Sequence, residues 1–348
     1  MVRFSIVVEG DCDDFDTYVA LARLAEEAGF HSFQVYEHIG FRPSWSILFS
    51  VARSTNKIFM GPVTVPVLLQ HPLYLSSNLA TLNEVTGGRE MLGVSRGAFY
   101  ERLGVGPQSA PDSREAVSEC VAIVNSLVTS GKLEEGFDGR FFRVPKGTSF
   151  EWTYARRSGE GRSGKVPIYV GTSGPKMVSK AVSLGAVSGV VTDNLWNPEY
   201  FRRMRSWIDG ACEQFHRSSK EFELVPRPFC SIAESHGEAV TEAKKSLRRY
   251  MPHLMGRSGM MESAGLDYSE VLRFAEESEV QDDNALGQSK TQLMVENFTA
   301  CGTPHEISNQ IEEMIRAGAE HICFGYPLGK DPVAALKLIT SRVTPRFT

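Results

Sequence analysis

The sequence predicts an α/β chain closed into a (β/α)8 TIM barrel with insertions, and three observations carry that expectation. Short apolar runs of β type alternate with amphipathic helical stretches, the pattern of a parallel sheet covered by helices. Eight strand–helix pairs can be counted, the number that closes a barrel. No G-x-G-x-x-G turn follows the first strand, as an open dinucleotide-binding sheet would require. The stretch Lys57–Gly97 shows the unit most plainly: strand, loop, helix and second strand in immediate succession. A parallel pair needs such a helical crossover.

Taken in order, Phe4–Val8 is the first strand. Phe15, Val19, Ala22 and Ala25 mark one face of a helix that stops at Gly29, a residue suited to a C-terminal cap. Ser32–Tyr36 is strand two and Ser44–Ser54 the next helix; Lys57–Thr64 is strand three, followed by a helix over Leu73–Glu84 that Gly87-Gly88 ends. Glu90–Val94 is strand four, and a helix over Ser113–Ser130 follows. Residues 131–166 are a polar, Gly-rich insertion with Phe141-Phe142 in a small hairpin. Ile168–Val170 is strand five, before helix Pro175–Leu184; Val187–Thr192 is strand six, before a helix from Pro198 to Phe215. Glu223–Ser231 is strand seven, although Pro226 and Pro228 each lack a ladder donor. Helix Glu238–Tyr250 precedes a second insertion, residues 252–300, which reads as helical and without a strand. Thr303-Pro304-His305-Glu306 is a capping box opening a helix to Ala317. His321–Phe324 is strand eight, and Asp331-Pro332 caps a last helix through Thr340.

The chain has 348 residues, and one barrel spanning 1–348 is expected rather than two domains, because α/β barrels exceed the usual size of about 150 residues per domain. The apolar fraction is 42 % and the charged fraction 23 %, as in globular proteins. A net charge of −5 gives no footprint for nucleic acid or an anionic membrane. No apolar run approaches the roughly 18 residues of a membrane span. The N-terminal stretch turns acidic after one short apolar strand, unlike a signal peptide. Cys12, Cys120, Cys212, Cys230, Cys301 and Cys323 form no C-x-x-C pair and lie mostly in apolar segments, which points to reduced thiols and a cytoplasmic location.

In such a barrel the chemistry sits at the carboxyl ends of the strands. Those ends read Glu9, Glu37-His38, Thr64, Ser95-Arg96-Gly97, Gly171–Met177, Asp193-Asn194, Ser231 and Gly325-Tyr326. No metal is expected, since the one His has no second His or Cys at ligand spacing. No G-x-S-x-G elbow appears. A cup of small residues, hydroxyls and a few acids suits a large bound cofactor. Within Gly171-Thr172-Ser173-Gly174-Pro175-Lys176-Met177 a strand gives way to a helix opened by Pro175. Its free N–H groups and dipole suit a phosphate, the hydroxyls add donors and Lys176 adds charge; an ordinary capped turn is the alternative. His38 is a candidate proton shuttle, and Glu9 and Glu101 are candidate acids or bases. Trp45 suits either the wall of a flat ring or the core.

The chain resembles the bacterial-luciferase-like superfamily of flavin- and deazaflavin-dependent oxidoreductases. The resemblance rests on LARLAEEAGFHSFQVYEHI, HPLYLSSNLATLNEVTGGREMLGVSRG, VPIYVGTSGPKMVSKAVSLGAVSGVV and TPHEISNQIEEMIRAGAEHICFGYPLGKD, in that order. It implies a barrel with FMN or coenzyme F420 in the cup at the strand ends. It implies that Gly171–Met177 hold the cofactor phosphate and that Val63-Thr64 and Ser95-Arg96-Gly97 line the ring and ribityl chain. By the same resemblance Glu37-His38 lie near the reactive edge of the ring. Some members carry a non-proline cis peptide at the end of strand three, which Pro62 interrupts here.

GTSGPKM and HICFGYPLGKD resemble the F420-dependent branch, especially methylenetetrahydromethanopterin reductase; LGVSRGAFYERLGV and VLLQHP resemble FMN-dependent monooxygenases. The reductase branch carries a Glu inside strand one. Val7 takes that place here, and Glu9 follows on the same face. The expectation is an F420-dependent oxidoreductase moving a hydride to or from a small organic substrate, with His38 as proton relay and Glu9 or Glu101 beside it. The alternatives are an FMN monooxygenase and a non-catalytic flavin-binding barrel. Residues 252–300 are the candidate lid, and the resemblance implies a homo-oligomer, a dimer.

Overall fold

The computed structural model describes residues 2–12, 14–97, 113–152, 165–254, 259–276 and 288–347. A ring of parallel strands encloses the centre: β1 (Arg3–Val8), β2 (Ser32–Val35), β3 (Phe59–Pro62) continued by β4 (Val65–Pro66), and β5 (Leu92–Ser95). Beyond the small strands β6 (Lys132–Leu133), β7 (Phe137–Asp138), β8 (Arg143–Val144) and β9 (Thr148–Ser149), the ring resumes with β10 (Ile168–Gly171), β11 (Val187–Asp193) and β12 (Glu223–Arg227). It continues through β13 (Phe229–Ile232) to β15 (His321–Leu328), which pairs with β1 and closes the barrel. Among the described residues the extra strand β14 (Thr299–Gly302) pairs with β13 alone, at the edge of that sheet. Strands three and seven are thus each broken in two, and each half pairs with a different neighbour. The break in strand seven falls at Pro228, whose missing N–H cannot extend a ladder while its carbonyl still accepts from Gly325.

Alternation along each strand sorts the residues. Phe4, Ile6 and Val8 face the helical layer, and Ser5, Val7 and Glu9 share the opposite face. One residue from each ring strand or its end, from Val7 through Tyr169 to Cys323, joins a separate buried apolar cluster inside the barrel. Neighbouring strands approach closely at Gly61, where a Cβ would stand 1.8 Å from the Met91 carbonyl oxygen. The helices on the outside are α1 (Phe15–Glu27), α2 (Ser44–Ala52), α3 (Pro72–Thr86), α4 (Ser113–Ser130), α5 (Pro175–Ser183), α6 (Pro198–Gln214), α7 (His236–Leu254), α8 (Gly259–Ser263), α9 (Tyr268–Glu276), α10 (Gln288–Phe298), α11 (Pro304–Arg316) and α12 (Pro332–Leu338). Their ends follow the sequence signals. Gly87 takes the left-handed conformation after α3, Thr303 and Glu306 form a reciprocal capping box on α11, and Asp331 caps α12.

Three expectations need amending. The second insertion is not wholly helical, because β14 forms at its end, where Thr299, Ala300 and Cys301 are buried. Strand three stops at Pro62, and the Val63–Thr64 peptide after it is cis despite that proline. The first insertion holds the predicted hairpin, β7 with β8, but Phe141-Phe142 lie in its connection, not in its strands. All six cysteines are buried and unpaired. Among the described residues no helix is long and apolar enough to cross a membrane.

Candidate active site

The side chain of Glu9 projects from the end of β1 into the barrel mouth and is only 3 % exposed. Its Oε2 lies 3.0 Å from Nδ1 of His38, just beyond β2. Burial opposes a charge on the imidazole, yet the adjacent Glu9 carboxylate outweighs it and raises His38 above its ordinary range. The pair therefore holds a proton at a site from which bulk water is largely removed. Glu37, the neighbour of His38, is differently engaged. Its carboxylate accepts from the backbone N–H of Ser44 (2.9 Å) and from the Ser44 hydroxyl at the start of α2. That bonding gives Glu37 the part of a helix cap, which Pro43 at the N-cap position cannot supply.

Beneath His38 lies a second layer, of which sequence reasoning named only Asp193, as a strand end. The Tyr36 ring stacks on the His38 ring with centroids 5.3 Å apart and planes 11° apart. Its hydroxyl donates to Oδ1 of Asp193 at 2.9 Å. Nη2 of Arg227 lies 2.7 Å from the same oxygen, and the Arg227 guanidinium carbon sits 4.9 Å from the Tyr36 ring centroid. Nη1 of Arg227 donates to the Val63 carbonyl at 2.5 Å. Arg227 is wholly buried. A signal existed in the sequence: an arginine between two prolines, inside a strand, has to be explained by a partner.

Around the rim, the Thr64 hydroxyl donates to the Ser95 hydroxyl at 2.9 Å, and the Gly97 N–H donates to that same oxygen at 3.2 Å. Gly171 completes this contact, since a Cβ there would stand 2.9 Å from Thr64 Cγ2 and 3.1 Å from Ser95 Cβ. Val63 is buried in the barrel interior, and Arg96 is exposed. The structure thus brings Thr64, Ser95, Gly97 and Gly171 together. Beyond them, Thr192 donates to the Thr172 carbonyl, Tyr200 donates to the Ser173 carbonyl, and Gly174 donates to the Thr172 hydroxyl. These bonds shape a turn whose N-cap, Gly174, places no side chain over the first N–H groups of α5. A Cβ at Gly174 would meet nothing within 4 Å, so that helix end opens to space. Pro175 and Lys176 are exposed, and Met177 packs partly on the core. An uncapped helix N-terminus with nearby hydroxyls fits a phosphate group. Trp45 is buried, its indole N–H on Gln70 at 3.1 Å. Glu101 lies outside the described residues.

The opposite end of the barrel carries a different polar cluster. His321 meets Glu223 through Nδ1 at 3.0 Å and Ser5 through Nε2 at 2.8 Å, and Arg3 pairs with Glu223 at 3.2 Å. Burial would raise Glu223, but His321 and Arg3 draw it down to about 2. His31, which meets His321 edge-on, is pushed down to about 4 by burial and by that neighbour. Polar groups at the amino ends of barrel strands serve stability, away from the chemistry.

With this geometry in hand, the comparisons are specific. The luciferase-like monooxygenase family profile matches residues 3–321. A 5,10-methylenetetrahydromethanopterin reductase of Archaeoglobus fulgidus is 29 % identical over 332 residues, covering 93 % of this chain and 94 % of that one. An F420-dependent glucose-6-phosphate dehydrogenase of Microbacterium testaceum is 23 % identical over 338 residues, covering 93 % of this chain and 91 % of that one. The solved structure of the F420-dependent tetrahydromethanopterin reductase from Methanopyrus kandleri superposes with a TM-score of 0.83 at 23 % identity, covering 100 % of this chain and 99 % of that one.

Proposed function

The chain belongs to the luciferase-like monooxygenase family, and from that premise we propose that it is a coenzyme F420-dependent oxidoreductase moving a hydride to or from a small organic substrate. One observation carries the reading: the buried Glu9 carboxylate paired with the part-buried His38, 3.0 Å apart, at the mouth of the barrel. When hydride leaves or reaches the substrate carbon, the attached heteroatom loses or gains a proton, and such a pair is built to exchange it. The name of one relative, an F420-dependent glucose-6-phosphate dehydrogenase, supports the deazaflavin over a flavin.

A bound deazaflavin would supply the hydride-accepting or hydride-donating carbon. The protein does the rest. Gly171–Met177, at the α5 N-terminus, would hold the phosphate. Val63-Thr64 and Ser95–Gly97 would line the ring and ribityl chain. Glu9 fixes Nδ1 of His38, so proton exchange with substrate falls to Nε2. Because folding raises its pKa, His38 keeps its proton past the ordinary range and serves as donor when the substrate is reduced. In the reverse direction it accepts, and Glu9 stabilises the resulting imidazolium. The substrate carbon must be aligned at about 3–3.5 Å from the reacting carbon. The insertion α8–α10, which follows strand seven in the chain, is the candidate element for selecting the substrate and excluding water. The enzyme works in the cytoplasm, as a dimer.

A parallel titration of apoprotein with F420 and with FMN, read by thermal shift and cofactor fluorescence, tests the reading. Tight binding of F420 alone supports it. Tight binding of FMN alone overturns it in favour of an oxygen-using monooxygenase, the activity in the family's name. Binding of neither removes the cofactor assignment.

A further inference from the structure

We propose that Tyr36, Asp193 and Arg227 form a positioning shelf for His38, fixing the plane of its ring while Glu9 fixes its rotation in that plane. The inference rests on the hydride-transfer reading only in taking His38 as the proton-bearing group.

Four strand positions meet in the shelf. Arg227 reaches from strand seven to the Val63 carbonyl on strand three, half-way round the ring, and bonds it at 2.5 Å. On the way its guanidinium lies 4.9 Å from the Tyr36 ring centroid and 2.7 Å from Oδ1 of Asp193. That one oxygen also accepts the Tyr36 hydroxyl at 2.9 Å. A guanidinium with no solvent contact stays charged only through such partners, so its place is fixed by them. A fixed guanidinium and a tethered hydroxyl leave the Tyr36 ring one orientation. His38 lies on that ring at 5.3 Å, nearly parallel. Its edge is held separately, by Glu9 at 3.0 Å. Phe41 meets the imidazole ring edge-on at 5.8 Å as well. Constraints on both the face and the edge are what precise proton transfer needs. The edge constraint alone would let the imidazole swing about the Nδ1–Oε2 axis.

The shelf is also an electrical device. Three charges bear on His38: Glu9 from β1 and Asp193 from β11 favour its protonation, and Arg227 from β12 opposes it. Tyr36, on its own strand, is held neutral by burial and by the charge of Asp193. The Asp193–Arg227 pair therefore holds two opposed influences in balance beneath one imidazole.

The test is an imidazole NMR titration of His38 in cofactor-free protein, for the native chain, Asp193→Asn, Arg227→Gln and the double variant. Asp193→Asn is expected to lower the His38 midpoint and Arg227→Gln to raise it. The double variant, which buries no charge, is expected to return it toward the native value. In F420 turnover both single variants are expected to lose about tenfold in kcat, as loss of alignment predicts. The proposal is overturned if the single variants shift the midpoint in the same direction, or if neither shifts it. Should Arg227→Gln not fold, Asp193→Asn and the double variant decide: a lowered midpoint that the double variant restores supports the shelf, and an unmoved midpoint sinks it. Because the titration needs no cofactor, absence of F420 turnover in the native chain would count against the hydride reading and leave the shelf standing on its own evidence.

Discussion

Replacing Glu9 by Gln removes one charge from the barrel mouth and changes almost nothing in volume. The side chain is 3 % exposed and the His38 side chain 14 %, so solvent can replace little of what is lost. A hydrogen bond to a charged group contributes about 1.5–3 kcal/mol to stability. At 3.0 Å and with this burial the pair should lie near the middle of that range, about 2 kcal/mol. The effect must depend on pH. Folding raises His38, whereas the unfolded imidazole titrates near its ordinary value of about 6.5. The contribution is complete below that value and disappears as pH climbs through the higher folded value, where native His38 loses its proton. Glu9→Gln should then cost about 2 kcal/mol in urea unfolding at about pH 5.5 and much less in alkaline buffer. On turnover, losing a positioned proton relay costs about 10²-fold in kcat, or roughly 2.7 kcal/mol of barrel-mouth stabilisation of the transition state. The assays are urea unfolding by circular dichroism at both pH values and the pH–rate profile with F420. An equal destabilisation at the two pH values, or a native kcat with an unmoved profile, would refute the argument.

Other consequences are open to measurement. Acid should weaken the fold in two stages as pH falls, first between about 6.5 and 4 as native His31 is forced to accept a proton, then between about 4.5 and 2 as Glu223 does. Glu223→Gln should shrink the second stage by about 3 kcal/mol in urea midpoints recorded against pH. Gly171→Ala pushes a methyl to 2.9 Å from Thr64 Cγ2, so the cofactor Kd measured by calorimetry should rise about tenfold or more; an unchanged Kd would move the cradle elsewhere. Glu26 accepts the backbone N–H groups of Asn56, Lys57 and Ile58, and Glu26→Ala should cost about 2 kcal/mol of stability while leaving cofactor affinity alone.

The sequence by itself determined the eight barrel strands, their order and their helices, because each is written in local periodicity: alternation for a strand, a 3.6-residue period for a helix, and Gly, Pro or a capping residue at the ends. It also located Glu9, His38, Thr64, Ser95, Gly97 and Gly171, since a barrel puts the last residue of every strand at one mouth. Pairwise bonds at that mouth were decided only by tertiary structure. Glu37 and His38 are neighbours in sequence, yet one caps α2 and the other meets Glu9, because consecutive residues at a strand end point opposite ways. Arg227 and Val63 are far apart in sequence and nothing local links them. Closing the ring of strands brought the guanidinium across the interior, where a charge shut off from water had to find Asp193, Tyr36 and a backbone carbonyl. Periodicity records which face of an element is buried. What a buried side chain touches there depends on the curvature of the whole barrel, which no window of sequence contains.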